Sequence, residues 1–204
     1  MTLRLVSPGG VTAALYFGTF LTILLALVQV VQIPLSALPE DSQRLTAAPV
    51  WHFIHVLGGA TFGILGPIQF GRALVPKYGR LHKIVGRVFV AAGAMISLSS
   101  LGLLVRFPDA YSVAISSGRL VFGIGLGVAL AVAMQAIYTR DFSRHRNWMI
   151  RAYAIGIGAT AVTMVFFPIY LITGAPPMGI AADIAFLGAW TACVVFAEVL
   201  VRRI

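Results

Sequence analysis

A chain of 204 residues in which 59% of the side chains are apolar and 10% charged, with a mean hydropathy of +0.95, has too little polar surface to clothe a soluble globule. Its solvent is lipid. The formal charge of +9, from 15 Lys and Arg against 6 Asp and Glu, sits in a few short stretches between apolar runs, so anionic headgroups and not nucleic acid are the expected partner. A single cysteine, Cys193, excludes an internal disulfide framework and a cysteine-based metal site.

The first apolar run, residues 11–38, follows Arg4 and exceeds the roughly 7 to 15 apolar residues of a signal peptide, so it is expected to be retained as a helix. Five more runs follow at 50–73, 84–105, 113–138, 148–171 and 180–201. Each reaches the roughly 20 residues that cross about 30 Å of hydrocarbon at 1.5 Å per residue, and each is continuously apolar instead of alternating as a membrane strand would. The expectation is an all-α fold: one integral membrane domain over residues 1–204, a six-helix transmembrane bundle. Gly59 and Gly63 in helix two, and Gly123 and Gly127 in helix four, have GxxxG spacing and are assigned to packing within the bundle, while Pro67 and Pro168 mark candidate kinks in helices two and five.

Lys and Arg are retained on the cytoplasmic side. One side of the bundle holds Arg4, Arg72, Lys77, Arg80, Lys83, Arg87, Arg140, Arg144, Arg146, Arg151, Arg202 and Arg203; the other holds Arg44, Arg106 and Arg119. Glu40, Asp41, Asp109 and Asp183 lean to the second side, Asp141 and Glu198 to the first. Both termini are therefore expected in the cytoplasm.

Two segments on the basic side resemble each other: Arg80 to Phe89 entering helix three and Arg144 to Tyr153 entering helix five. Both read as a histidine, a base, several apolar residues, an arginine and an aromatic, with one gap. This puts His82 and His145 at one depth, where they are able to hold a b-type haem between them or bracket a quinone headgroup, with Arg87 and Arg151 beside them. The competing reading is a pair of interfacial histidines in basic loops that grip phosphate headgroups. Both histidines sit at helix starts, which departs from the usual haem arrangement well inside facing helices.

His52 and His55, three residues apart on one face of helix two, are unable to supply opposite axial ligands and lie across most of the membrane from His82. A metal site of His52, His55 and Asp183 is weighed against capping roles, and no metal is assigned. Charged groups inside apolar runs are costly and usually face a partner or cavity. His55, Arg119, Asp183 and Glu198 are therefore expected to be buried polar groups, joined at the inner level by Gln69 and Gln135. An ion pair and a proton-handling role both fit Glu198. No nucleotide loop, CxxC, HExxH or GxSxG element is present to point to a reaction.

His55, Gly66-Pro67-Ile68-Gln69-Phe70, Leu81 to Phe89 and His145 to Ala154 together resemble a bacterial family of predicted membrane proteins catalogued as domain of unknown function 2306. Lys83 and Phe89 stand where that family usually has Arg and Tyr. The resemblance implies a multi-pass protein of the bacterial inner membrane, with His55, His82, Arg87, His145, Trp148 and Arg151 in the shared pattern, and brings no activity with it. Two functions remain open: a redox protein binding haem or quinone at the cytoplasmic end, and a non-catalytic subunit or assembly factor of a larger membrane complex. A transporter finds no support in an inverted repeat or in broken helices.

Overall fold

In lipid a backbone must satisfy its own hydrogen bonds, so each apolar run closes into a helix. The computed structural model describes residues 8–37, 46–70, 79–108 and 112–203. Its helices are α1 (Pro8–Gln32), α2 (Pro49–Phe70), α3 (Gly79–Arg106), α4 (Val113–Tyr138), α5 (Phe142–Gly156), α6 (Gly158–Thr173) and α7 (Gly179–Arg203). α5 and α6 form one span between them, giving six helices long and apolar enough to cross a membrane. Of the charged residues used for orientation, Arg4, Glu40, Asp41, Arg44, Arg72, Lys77 and Asp109 lie outside the described residues.

The spans close into a ring in the order α1, α2, α3, α4, α5, α7, α6 and back to α1, with α5 also touching α2 and α3. α2 and α4 finish at the same end at which α3 and α5 begin. That end carries Arg80, Lys83, Arg87, Arg140, Arg144, Arg146, Arg202 and Arg203, and is called the basic end below; the opposite one is the far end. α3 starts at Gly79 and α5 at Phe142, earlier than the apolar runs suggested, because their first turns hold bases that reach the headgroup layer while the backbone is already helical.

The main core lies among α2, α3, α4 and α5 in the half nearer the basic end. Phe62 and Phe89 stack at 4.2 Å between ring centroids, and Ala129, Ala133 and Ala152 let the neighbouring backbones close on them. A second cluster of Ile115, Ala182 and Phe186 joins α4 to α7 at the far end. Three of the four GxxxG glycines serve such contacts: a Cβ on Gly63 would lie 2.9 Å from Ile23 of α1, and Gly123 and Gly127 lie against Ser100 and Ser97 of α3, while Gly59 faces open space. Ser97 donates to the Gly123 carbonyl at 2.7 Å.

Span five is broken. Helix geometry lapses at Ile157 (φ −86°, ψ 1°), between Gly156 and Gly158, and α6 then runs through Pro168 without interruption. The cause is tertiary. A Cβ on Gly156 would meet the Phe62 ring at 2.4 Å, and one on Gly158 would meet Trp190 Nε1 at 1.9 Å, so the two glycines admit α2 and α7 at the break. The Ile155 carbonyl, released from the helix ladder, accepts from Trp190 Nε1 at 2.7 Å, which supplies the hydrogen bond that lipid would not. The break also changes the span's neighbours, from α4 along α5 to α1 along α6.

Candidate functional site

His82 and His145 occupy equivalent places, each the fourth residue of its helix. Asp141 caps α5 by accepting from the Arg144 backbone N–H at 2.9 Å, which sets the first turn and carries His145 towards α4. There His145 Nδ1 lies 2.9 Å from the Ala133 carbonyl. A carbonyl only accepts, so Nδ1 is the donor in this bond. His82 stands on the same face of α3 as Phe89, two turns on. Its Nδ1 is buried without a hydrogen-bond partner, and its own carbonyl accepts from Gln69 Nε2 at 3.4 Å. The Gln69 amide lies beside Gly86, 3.6 Å from where a Cβ would stand, an ordinary van der Waals contact. The two imidazoles are within electrostatic reach of each other. Because α3 and α5 both begin here, the positive poles of two helices face the same space, which favours an anionic or electron-rich ligand.

The arginines divide. Arg151 forms a fork-to-fork pair with Glu198 of α7, Nε donating to Oε1 at 2.5 Å and Nη2 to Oε2 at 3.0 Å, and its guanidinium lies 4.8 Å from the Trp148 ring centre. Arg87 is exposed. Five residues from His82 it points about 140° away, at 100° per residue, so it is not directed at the imidazoles. Gln135, expected to be buried, is likewise exposed, because its neighbours Ala133 and Ala136 take the inward positions of α4.

Beneath the histidines the floor is aromatic. Tyr153 lies 4.9 Å from Phe70, 5.7 Å from Phe62 and 6.2 Å from Phe89 between ring centres, and a Cβ on Gly66 would stand 2.1 Å from its ring. Its hydroxyl and the Asn147 Oδ1 are buried without partners. Sequence reasoning noted Tyr153 only as the aromatic that closes a repeated segment; its packing on Gly66 had no one-dimensional signal.

At the far end the polar residues disperse. His52 Nε2 lies 3.2 Å from Gln29 Oε1, and His55 Nδ1 lies 3.0 Å from Ser99 Oγ. Since Ser99 gives its proton to the Met95 carbonyl at 2.5 Å, His55 is the donor in its own bond. Asp183 Oδ1 accepts from Ser112 Oγ at 2.5 Å, tying the start of α7 to the cap of α4. Arg119 lies 5.6 Å from the Phe186 ring centre and within electrostatic reach of His55. His52, His55 and Asp183 thus face three different partners. Among the described residues no group of three or more His, Cys, Asp or Glu side chains converges as a metal site would require.

A family model described as "Predicted membrane protein (DUF2306)" matches residues 52–201, spanning α2 to α7 and hence both histidine-bearing segments. The chain belongs to this family. It is a multi-pass protein of the bacterial inner membrane. Comparison with curated proteins and with solved structures returns no match. The DUF2306 match covers the candidate site whole, and leaves α1 before its first residue.

Proposed function

We propose that this DUF2306 protein is a membrane redox protein that binds a b-type haem or a quinone at its basic end, between His82 and His145, with that end and both termini in the cytoplasm. The observation that carries the proposal is the His145 contact: Nδ1–H bonded to the Ala133 carbonyl at 2.9 Å fixes the ring and leaves Nε2 outside that bond, with His82 within electrostatic reach. That is how a ligating imidazole is oriented, and equally how a base accepts a hydrogen bond from a quinol hydroxyl. The aromatic cluster of Phe70, Phe89 and Tyr153 below the histidines makes a rigid apolar base for the site. The bound group would supply the electron transfer; the chain supplies the two imidazoles, the positive helix ends and the apolar floor. Arg151 is already committed to Glu198, so its part is to fix α5 against α7 and not to meet a propionate.

The test is a reduced-minus-oxidised absorption spectrum of protein purified from haem-sufficient cells, with short-chain quinone titrated against intrinsic Trp fluorescence in the same preparation. A b-type spectrum, or saturable quenching, is expected, and is expected to be lost in His82→Ala and His145→Ala and kept in His52→Ala. Neither signal in the wild type would leave the second reading, a non-catalytic subunit or assembly factor of a larger complex. That reading draws on the apolar side chains displayed by α6 and α7, among them Phe167, Leu171, Ile172, Ile184 and Phe196.

A further inference from the structure

The seam between α1 and α2 is polar along most of its length. On α1, Thr12, Tyr16, Thr19, Thr22 and Gln29 share one broad face. Contacts to α2 fix that face: Thr12 Oγ1 donates to the Pro67 carbonyl at 3.5 Å, Tyr16 OH to the Ile64 carbonyl at 2.8 Å, and Gln29 meets His52 at 3.2 Å. Thr22 stands two turns below Gln29 on the same side. Opposite them α2 presents His52, Gly59, Gly63 and Pro67, also in one stripe, and Gly66 beside them.

Three polar atoms on this seam are buried and unpartnered: His52 Nδ1 near the far end, Thr22 Oγ1 in the middle and the Tyr153 hydroxyl at Gly66 towards the basic end. His52 and Tyr153 are only 4% and 6% exposed, so bulk solvent does not satisfy them. Each unmet polar atom carries the full penalty of its desolvation. Three along one interface, in a bilayer where polar side chains mark ion and proton paths, need a common explanation. Helix packing accounts for Thr19, whose hydroxyl bonds the Leu15 carbonyl at 2.8 Å, but not for these three.

Beside Gly59, between the levels of His52 and Gly63, there is open space, a Cβ there meeting no atom within 4 Å, whereas at Gly63 the seam is narrowed by Ile23. Gln29 to Thr22 is about 10 Å along the helix and Thr22 to Tyr16 about 9 Å, at 1.5 Å per residue. Waters hydrogen-bonded at about 2.8 Å bridge each gap with roughly three molecules. At the lower end Tyr16 and Tyr153 are within electrostatic reach, and in the last turn of α2 Gln69 donates to the His82 carbonyl.

We infer that the α1–α2 seam is a proton path: a file of waters held by His52, Gln29, Thr22, Tyr16 and Tyr153 that connects the far end of the bundle to the basic end. Each hop passes a proton along a hydrogen bond and returns every group to its starting state, so no oxidant or reductant is consumed. The path shares Tyr153 with the aromatic cluster below the proposed haem or quinone site but uses neither His82 nor His145, and it stands whether or not that ligand binds.

The experiment is proton flux into vesicles reconstituted with the purified protein, with a pH-sensitive dye trapped inside and a potassium potential imposed through valinomycin. Wild-type vesicles are expected to acidify faster than protein-free vesicles. Thr22→Val and His52→Phe are expected to fall to the protein-free rate, while Thr22→Ser, which keeps the hydroxyl, and Thr163→Val, whose hydroxyl bonds only the Ala159 carbonyl in α6, conduct as wild type. Wild-type flux at the protein-free rate overturns the inference, and so does unimpaired flux through Thr22→Val. Radiolytic hydroxyl labelling of the unmodified protein keeps the question open to test even where a variant misfolds. A wet seam labels Tyr16 and Tyr153 faster than the buried Phe62 and Phe89; equal, slow labelling of all four means that the seam is dry.

Discussion

Glu198 shows what a single residue reveals in a membrane sequence. A short acid in an apolar run has no long stem with which to reach water, so it requires a partner, and Arg151 lies opposite at the same depth. Both side chains retain some exposure, 25% for Arg151 and 36% for Glu198, which places the pair between a surface bridge and a buried one. Removing one partner should therefore cost about 2 kcal/mol, between the roughly 0 to 1 of exposed pairs and the 3 to 5 of buried ones. Glu198→Ala is expected to lower the thermal midpoint in detergent, and Arg151→Ala/Glu198→Ala to recover part of the loss, because the double variant leaves no unpaired cation. A double variant no better than the single one would mean that the pair acts through Arg151 packing on Trp148 alone. Depth was legible for these residues; azimuth was not. Arg87 and Gln135 lie at the right level but face outward, because which side of a helix is inside depends on neighbours that one-dimensional spacing does not name.

At the level of elements, the apolar runs announced every span; Pro168 marked a candidate kink in the fifth, which instead breaks at Ile157 and continues without interruption through the proline. Proline was the visible breaker. The actual cause is two large rings, Phe62 and Trp190, entering from other helices where Gly156 and Gly158 leave room, a contact that no local pattern encodes. Gly158→Ala should expel the indole, breaking its bond to Ile155 and its stack on Phe122 at 5.1 Å, at a cost of about 1 to 3 kcal/mol typical of overpacking. Trp190→Phe keeps a ring but loses the N–H, and should cost about 1 kcal/mol, near the upper range of interhelical hydrogen bonds in membranes. Equilibrium unfolding in mixed detergent reads both. Gly158→Ala should be nearly neutral once Trp190→Ala has emptied the space; an undiminished cost in that background would show that the glycine serves backbone geometry and not the indole.

For the molecule as a whole, six helices were readable because lipid leaves the backbone few alternatives, and one residue type decides which way they run. The ring order of the spans was not readable, since every span is apolar on several faces and the choice of neighbour rests on small residues such as Ala133, Ala152 and Gly123 that recur throughout the chain. The proposed orientation rests on the contrast between twelve bases on one side and three on the other. No single loop carries it: excluding the segment between the second and third apolar runs still leaves the 140–151 segment, Arg202 and Arg203 on the basic side. Reporter fusions after Ala73 and after Arg140 are therefore expected to read cytoplasmic, and one after Glu40 periplasmic. Neutralising Arg80 and Lys83 together should leave all three readings unchanged. A periplasmic signal after Arg140 would invert the bundle, move His82 and His145 to the outer face, and require any electrons exchanged there to come from the periplasm and not from the cytoplasm.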